Sequence, residues 1–351
     1  MRMDAVQKIA DAVLYEGHLL YPYRASALKN QKRWNFGVLV PQAYSDVHPD
    51  SDLSRMQTES LVEGDEHLTI EVKVRFLQLV KRRVGRLVES IGAAPLSPPF
   101  QLVDSIQIGE QTVYAFDETI QREFDIPPLS MKDLLEQPQV RAKSLSPRRE
   151  WQTLRDAQGQ ATGLVIREQE AVAAQIEITA VPLSAHLFKV TVAIGNETPL
   201  QRSLNRSREE VLPWSLIAAH TILAVEQGSF LSLIDPPDAV RVHVHACKNV
   251  GTWPVLAGEE GARSMLLSAP VILYDYPQIA PESPGDFFDG TEIDEMLALR
   301  VQTLTDQEKQ EVRLTDGQAH ALLERTEGLP AEHLWKLHGV VRSLQPMENQ
   351  S

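Results

Sequence analysis

The chain has 351 residues, of which 43% are hydrophobic and 23% are charged, ordinary values for a folded globular protein of about two domains. Its formal net charge of −14 argues against general affinity for nucleic acid or anionic membranes, which are both polyanions. The single cysteine excludes an intrachain disulfide framework, and the sequence has neither a signal-peptide pattern nor an apolar run of bilayer length. We therefore expect a cytoplasmic protein without membrane insertion.

The first 45 residues combine a helical pattern with a basic, aromatic segment. Residues 3–15 carry apolar side chains at helical spacing, which predicts a helix. Residues 17–45 contain no acid but four bases, with aromatic residues between them. Such a segment suits RNA or a phosphate-bearing ligand, or it forms a basic edge that meets the acidic half of the chain, which the net charge favours. Its candidate partner-binding residues are Arg24, Lys29, Lys32, Arg33 and Trp34.

Alternating apolar and polar residues predict several strands before residue 200. The pattern is clean over 68–76, and residues 102–108 and 112–116 form a plausible hairpin about a Gly109-Glu110 turn. Residues 172–180 and 188–194 alternate in the same way on both sides of a tight turn. These paired strands favour an antiparallel, sandwich-like arrangement.

Between and after these strands, the sequence predicts helices and two further strands. We expect a short helix over 132–136, then a basic linker to residue 150, and a helix over 209–227 that Gly228 ends. Residues 240–246 are predicted as a strand, and the apolar run 269–276 as a buried strand. We also expect a helix that starts at Thr291, a second one after a capping box at 305–308, and a final one after Pro330.

His243, His245 and Cys247 form a candidate metal site. On a strand, alternate residues share one face, so the two imidazoles and the thiol would lie together. This ligand set suits Zn²⁺ or Ni²⁺, with His220 or Asp275 as a possible fourth ligand. The alternative is a half-exposed strand face with two hydrogen-bonded histidines.

Carboxylates are dense in the Pro- and Gly-punctuated loop that follows residue 273. Paired carboxylates suit acid–base chemistry or hard cations, but the ligand spacing of an EF-hand is absent. Helix capping on an acidic surface is the simplest interpretation, and an acidic loop with aromatic residues also suits protein docking. The candidate docking residues here are Trp253, Asp275, Glu282, Asp286 and Asp289.

Two segments resemble a known family. One joins ADAVLYEGHLLYPYR (10–24) with WNFGVL (34–39), and the other joins NVGTWPVL (249–256) with LYDYP (273–277) and EIDE (292–295). Together they resemble an uncharacterised bacterial family encoded near nickel–iron hydrogenase genes. The resemblance implies a role in making, assembling or supporting that metalloenzyme, with a hydrogenase subunit or maturation factor as the partner.

These observations predict an α+β protein with a β-rich body of antiparallel, sandwich-like sheets and a helical C-terminal extension. We expect the body to span 1–290, with a subdivision near 140–160, the extension to span 291–345 and a disordered tail to span 346–351. The leading hypothesis is a non-catalytic accessory protein that binds other proteins. The alternatives are a metal-binding protein or metal-dependent enzyme using His243, His245 and Cys247, and a binder of RNA or phosphate ligands through the basic N-terminal segment.

Overall fold

The computed structural model describes residues 4–16, 23–24, 27, 36–88, 99–109, 111–201, 203–278, 294–315 and 317–329. The chain divides into two compact units, one made of residues 1–18 and 32–278 and the other of residues 19–31 and 279–351. Within the described ranges, no helix has the length and apolar character needed to cross a membrane. The domain boundaries expected from the sequence stay a prediction.

The first unit is built around one very long strand, β1, which spans Arg55–Leu87. Different stretches of β1 pair with different strands, so that β1 has five antiparallel partners in all. Eleven described strands form one sheet, and two more form a separate hairpin. The other strands are β2 (Phe100–Val103), β3 (Ser105–Ile108), β4 (Gln111–Tyr114), β5 (Phe116–Ser130), β6 (Gln139–Leu145), β7 (Arg148–Arg155), β8 (Ala161–Gln169), β9 (Val172–Ser184), β10 (Leu187–Asn196), β11 (Ile217–Phe230), β12 (Trp253–Leu256) and β13 (Met265–Ala269).

The strands predicted from alternation are confirmed. Residues 68–76 lie within β1, β3 pairs with β4 as the predicted hairpin, and β9 pairs with β10. The largest apolar core joins inward-facing residues of β1, β5 and β11 with those of β9 and β10. Burial of one side-chain set on each strand therefore explains the period of two.

Short helices cover parts of this sheet. The predicted helices over 3–15 and 132–136 are confirmed as α1 and α3. Ser130 caps α3, because its hydroxyl accepts a hydrogen bond from the Asp133 amide at 3.1 Å. The helices of this unit are α1 (Asp4–Tyr15), α2 (Gln42–Ser45), α3 (Met131–Glu136), α4 (Arg208–Val211) and α5 (Arg241–His245).

Four predicted elements are wrong. The helix expected over 209–227 is mostly strand β11, whose first nine residues are all buried and therefore show no alternation. The strand expected over 240–246 is a 3-10 turn followed by α5. The buried strand expected over 269–276 lies earlier in the chain, as β13, and ends at Ala269. The region after α3, expected to be a linker, contains the strands β6 and β7.

The described part of the second unit contains three helices. The predicted capping box is confirmed, because the Thr305 hydroxyl accepts a hydrogen bond from the Glu308 amide at 3.3 Å and the Glu308 carboxylate accepts one from the Thr305 amide at 2.9 Å. The predicted helix start at Thr291, the helix after Pro330 and the tail 346–351 lie outside the described residues. The helices are α6 (Asp294–Gln302), α7 (Asp306–Thr315) and α8 (Gly317–Glu327).

The predicted fold class is therefore confirmed. The protein is α+β and rich in β-structure, with a large antiparallel sheet and a helical C-terminal region. The strands found among the described residues of the body form one eleven-stranded sheet and an additional hairpin.

Candidate interaction surface

A long β-ribbon places a basic strand edge on the surface of the first unit. The ribbon has β6, which pairs with β9, and β7, which pairs with β8, along its outer side, and two residue pairs separate the two ladders in register. Only these pairings are found for β6 and β7 within the described residues. The outer side of residues 139–155 is therefore an edge, which we call the basic edge.

The charge of the basic edge is opposite to that of the whole chain. Residues 139–155 contain five bases and one acid, a net charge of +4 in a chain of −14. Seven of the eight residues of β7 are exposed. The bases are Arg141, Lys143, Arg148, Arg149 and Arg155, and the acid is Glu150.

Aromatic and aliphatic side chains lie beside β7 on one face of the sheet. Trp151 is opposite Ile166 on β8, and its ring meets that of Phe100 edge-on at 5.6 Å between centroids. Trp151 and Leu102 stay 37% and 48% exposed. We call Phe100, Leu102 and Trp151 the aromatic patch, and its exposure is typical of a surface that another molecule covers.

Gly85 on β1 makes room for this patch. A Cβ atom at this position would lie 2.7 Å from Cδ2 of Phe100, closer than van der Waals contact allows. The glycine therefore lets the Phe100 ring lie over the sheet.

Arginines surround the aromatic patch. The Arg149 guanidinium lies 4.4 Å from the centroid of the Trp151 ring, a cation–π arrangement. Arg149 and Arg83 both pair with Glu168, each at 3.1 Å. One carboxylate thus pairs with two guanidiniums, so Arg83, Arg149 and Glu168 together carry a charge of +1 on the same face as Trp151.

On the opposite face of these strands, arginines again outnumber the carboxylates that pair with them. Glu118 is shared by Arg82 at 3.1 Å and Arg167 at 2.8 Å. Arg122 donates to the side-chain oxygens of two glutamines, Gln78 and Gln169, at 2.9 and 2.8 Å. Burial, and to a smaller extent the charge of Arg148, lower the pKa of Arg122.

A second charged cluster lies under α1 and is internal. Arg75 on β1 is fully buried and donates from Nη2 to Asp11 of α1 at 2.5 Å and from Nε to Glu123 of β5 at 2.9 Å. Lys73 lies 3.2 Å from the same glutamate. Burial alone would raise the pKa of Glu123, but the hydrogen bonds and charges of Lys73 and Arg75 outweigh it and lower the pKa. The cluster joins α1 to the sheet.

His220 on β11 completes this cluster and is held neutral. It lies directly opposite Arg75 in the strand register, and its Nδ1 donates to the Ala218 carbonyl at 2.9 Å. Burial lowers its pKa to about 4, and the charge of Arg75 acts in the same direction. Its other ring nitrogen, Nε2, is buried without a hydrogen-bond partner among the described residues.

The metal site predicted at His243, His245 and Cys247 rested on a strand that the structure replaces with α5. Residues two apart on a helix point to different sides, so the two histidines do not share a face. Burial, and then the charge of Glu59, raise the pKa of the Cys247 thiol to about 11, although Lys189 opposes this shift. The described residues contain no group of three or more potential ligands placed to hold a metal ion.

Glu59 explains the surroundings of Cys247. Its carboxylate accepts hydrogen bonds from the Lys189 ammonium at 3.0 Å and from the Lys248 amide at 2.7 Å. The Oδ1 atom of Asn249 in turn accepts a hydrogen bond from the Glu59 amide at 2.8 Å. The segment 247–249 is therefore fixed to β1 by polar contacts that serve the fold.

The predicted partner-binding residues are separated. Arg24 pairs with Glu308 at 3.1 Å within the second unit. Asp275 has a structural role, because its carboxylate accepts hydrogen bonds from the Ser232 hydroxyl at 2.5 Å and the Leu256 amide at 2.7 Å. Trp253 starts β12 and is 45% exposed. The remaining ones, Lys29, Lys32, Arg33, Trp34, Glu282, Asp286 and Asp289, lie outside the described residues.

Sequence reasoning treated residues 139–150 as a linker and so did not identify the basic edge or Trp151. The available signal was the Arg149-x-Trp151 spacing, which places a guanidinium and an indole on one face of a strand. Comparison with protein-family models, curated proteins and solved structures found no match for the chain.

Proposed function

We propose that this chain is a non-catalytic accessory protein that binds another protein. The observation that carries the proposal is the exposed aromatic patch beside the basic edge. Tryptophan, phenylalanine and arginine are enriched in protein interfaces, and tryptophan and arginine dominate their energetic centres. Here Trp151 and Arg149 stack on each other and stay accessible.

The chemistry of the described ionisable groups supports a binding role. Cys247 has a raised pKa of about 11, so at neutral pH it is a thiol and a poor nucleophile. Asp11 and Glu123 are both engaged by Arg75. Glu59 is engaged with Lys189 and the backbone.

The resemblance of residues 10–39 and 249–295 to proteins encoded near nickel–iron hydrogenase genes suggests the kind of partner. We propose a subunit or maturation factor of that enzyme. This part of the proposal rests on the two segments alone and is separate from the location of the binding surface.

Affinity purification from the native host, followed by mass spectrometry, tests both parts. Tagged wild-type protein should bring down a stoichiometric partner, and Trp151→Ala should lose most of it because the indole is the centre of the aromatic patch. Trp253→Ala is the matched control, since Trp253 is 45% exposed against 37% for Trp151 and lies in the same unit.

Three outcomes are informative. Retention by Trp253→Ala with loss by Trp151→Ala supports the proposed surface. The reverse pattern would move the binding site to β12. A wild-type sample without any partner would contradict the proposed function.

A further inference from the structure

We propose that the partner presents an acidic, extended segment that adds as a further strand to the outer edge of β7. This inference rests on the proposed function and specifies its binding site. Three features of β7 carry it: an edge position, a positive charge and an accessible aromatic anchor.

The edge position supplies the backbone groups. An antiparallel strand directs alternate N–H and C=O groups to each side, and within the described ranges β7 has β8 on one side and no strand on the other. Its eight residues extend about 27 Å and match a peptide segment of similar length. Peptides commonly bind by joining such edges, with main-chain hydrogen bonds giving affinity and side chains giving specificity.

The charge determines the chemistry of the segment. Arg148 and Arg149 both lie on β7, and each carboxylate nearby is shared or exposed: Glu168 serves Arg83 and Arg149, and Glu150 contacts Arg148. Arg155 donates to the Gly159 carbonyl at 2.8 Å and has no carboxylate partner among the described residues. A neighbouring strand that carries glutamate or aspartate would place carboxylates beside these guanidiniums, and opposite charges on adjacent strands stabilise the pair.

The aromatic anchor sets the register. Trp151 lies two residues from Arg149 and therefore on the same face, next to Phe100. We infer that an apolar or β-branched residue of the added strand packs against Trp151 while an acidic neighbour contacts Arg149. A nucleic acid would also meet positive charge here, but it would not use an unpaired strand edge.

Fluorescence anisotropy with the full chain tests this inference. The probe is a labelled ten-residue peptide of alternating threonine and glutamate, because threonine favours strands and glutamate supplies the charge. Two matched peptides are controls, one with lysine for every glutamate and one with two central threonines changed to proline. Proline removes backbone donors and cannot continue a ladder.

The expected result is binding of the acidic peptide that weakens with salt, with little binding of either control peptide. The double variant Arg148→Glu with Arg155→Glu should raise the dissociation constant about tenfold or more, because it reverses two exposed charges on the edge. Lys132→Glu with Arg241→Glu makes the same charge change at exposed positions outside β7 and should leave binding unchanged.

Several results would overturn the inference. The first two are binding of the proline peptide as tight as that of the acidic peptide, and an equal loss of peptide affinity in both double variants. The other two are tighter binding of a twelve-nucleotide single-stranded RNA than of the acidic peptide, and association of two copies of the chain through β7 in sedimentation. If the acidic peptide fails while Trp151→Ala still loses the host partner, the added-strand inference is wrong and the proposed function stands. If no host partner exists, the proposed function itself fails.

Discussion

Arg75 and Arg149 carry the same side chain and each contacts a glutamate, yet they lie in opposite surroundings. Arg75 is fully buried between Asp11 and Glu123, whereas the side chain of Arg149 is 52% exposed and shares Glu168 with Arg83. In the first cluster three carboxylates, those of Asp11, Glu123 and Asp125, meet two bases, Arg75 and Lys73. In the second, one carboxylate meets two arginines. Burial and the ratio of opposite charges therefore decide whether an ion pair stabilises the fold or remains available to a partner.

The largest expected effect is the difference in lost unfolding free energy between a variant of Arg75 and the same variant of Arg149. Arg75→Ala should lower the free energy of unfolding by about 3 to 5 kcal/mol, because it removes one partner of a buried ion-pair network and leaves a cavity. Arg149→Ala should lower it by less than about 0.5 kcal/mol, because solvent screens an exposed pair. Urea unfolding followed by circular dichroism measures both, and similar losses in the two variants would contradict the comparison.

The next effect concerns the pH dependence of the buried cluster. The folded pKa of His220 is about 4 and its ordinary value is 6.5, so below pH 6.5 the unfolded chain takes up the proton first. The contribution of His220 is therefore complete above pH 6.5 and is lost as the pH falls toward 4. Glu123 has a pKa lowered from 4.5, so its contribution is lost only below that pH.

Between pH 6.5 and 4.5, the free energy of unfolding therefore responds to the titration of His220 but not to that of Glu123. Over it, wild-type protein should lose about 2 kcal/mol more stability than His220→Gln, which cannot titrate. Parallel pH profiles for the two proteins would mean that His220 is accessible to protons in the folded state.

The smallest effect is expected at the exposed cluster. Arg149→Lys keeps the charge but loses the planar group that lies over Trp151, so partner binding should weaken by about 1 kcal/mol while the free energy of unfolding stays unchanged. Titration calorimetry with the purified partner measures the first quantity. Unchanged affinity would remove Arg149 from the proposed surface.

The sequence predicts elements that have one buried face. The strands over 68–76 and 172–194 alternate because one side of each meets the core, and the capping box at 305–308 is a local hydrogen-bond pattern that does not depend on the rest of the fold. These features need only neighbouring residues, so they are visible without the structure.

Elements with two similar faces escape this kind of prediction. The first nine residues of β11 are buried on both faces and lack a period of two, and most of β7 is exposed on both. Conversely, Val240, Val242 and Val244 alternate as in a strand, although they belong to a short helical segment in which Val242 is 78% exposed. The candidate surface depends on which strand pairs with β7, and that long-range information is absent from local sequence.

Amide hydrogen exchange of the full chain, alone and with the partner purified from the host, tests whether the partner binds at the outer edge of β7. Residues 148–155 should exchange more slowly in the complex, because their outward amides gain hydrogen-bond partners, while the amides around Arg75 and His220 should be unchanged. Protection at β12 or elsewhere, with β7 exchanging as in the free protein, would contradict binding at β7.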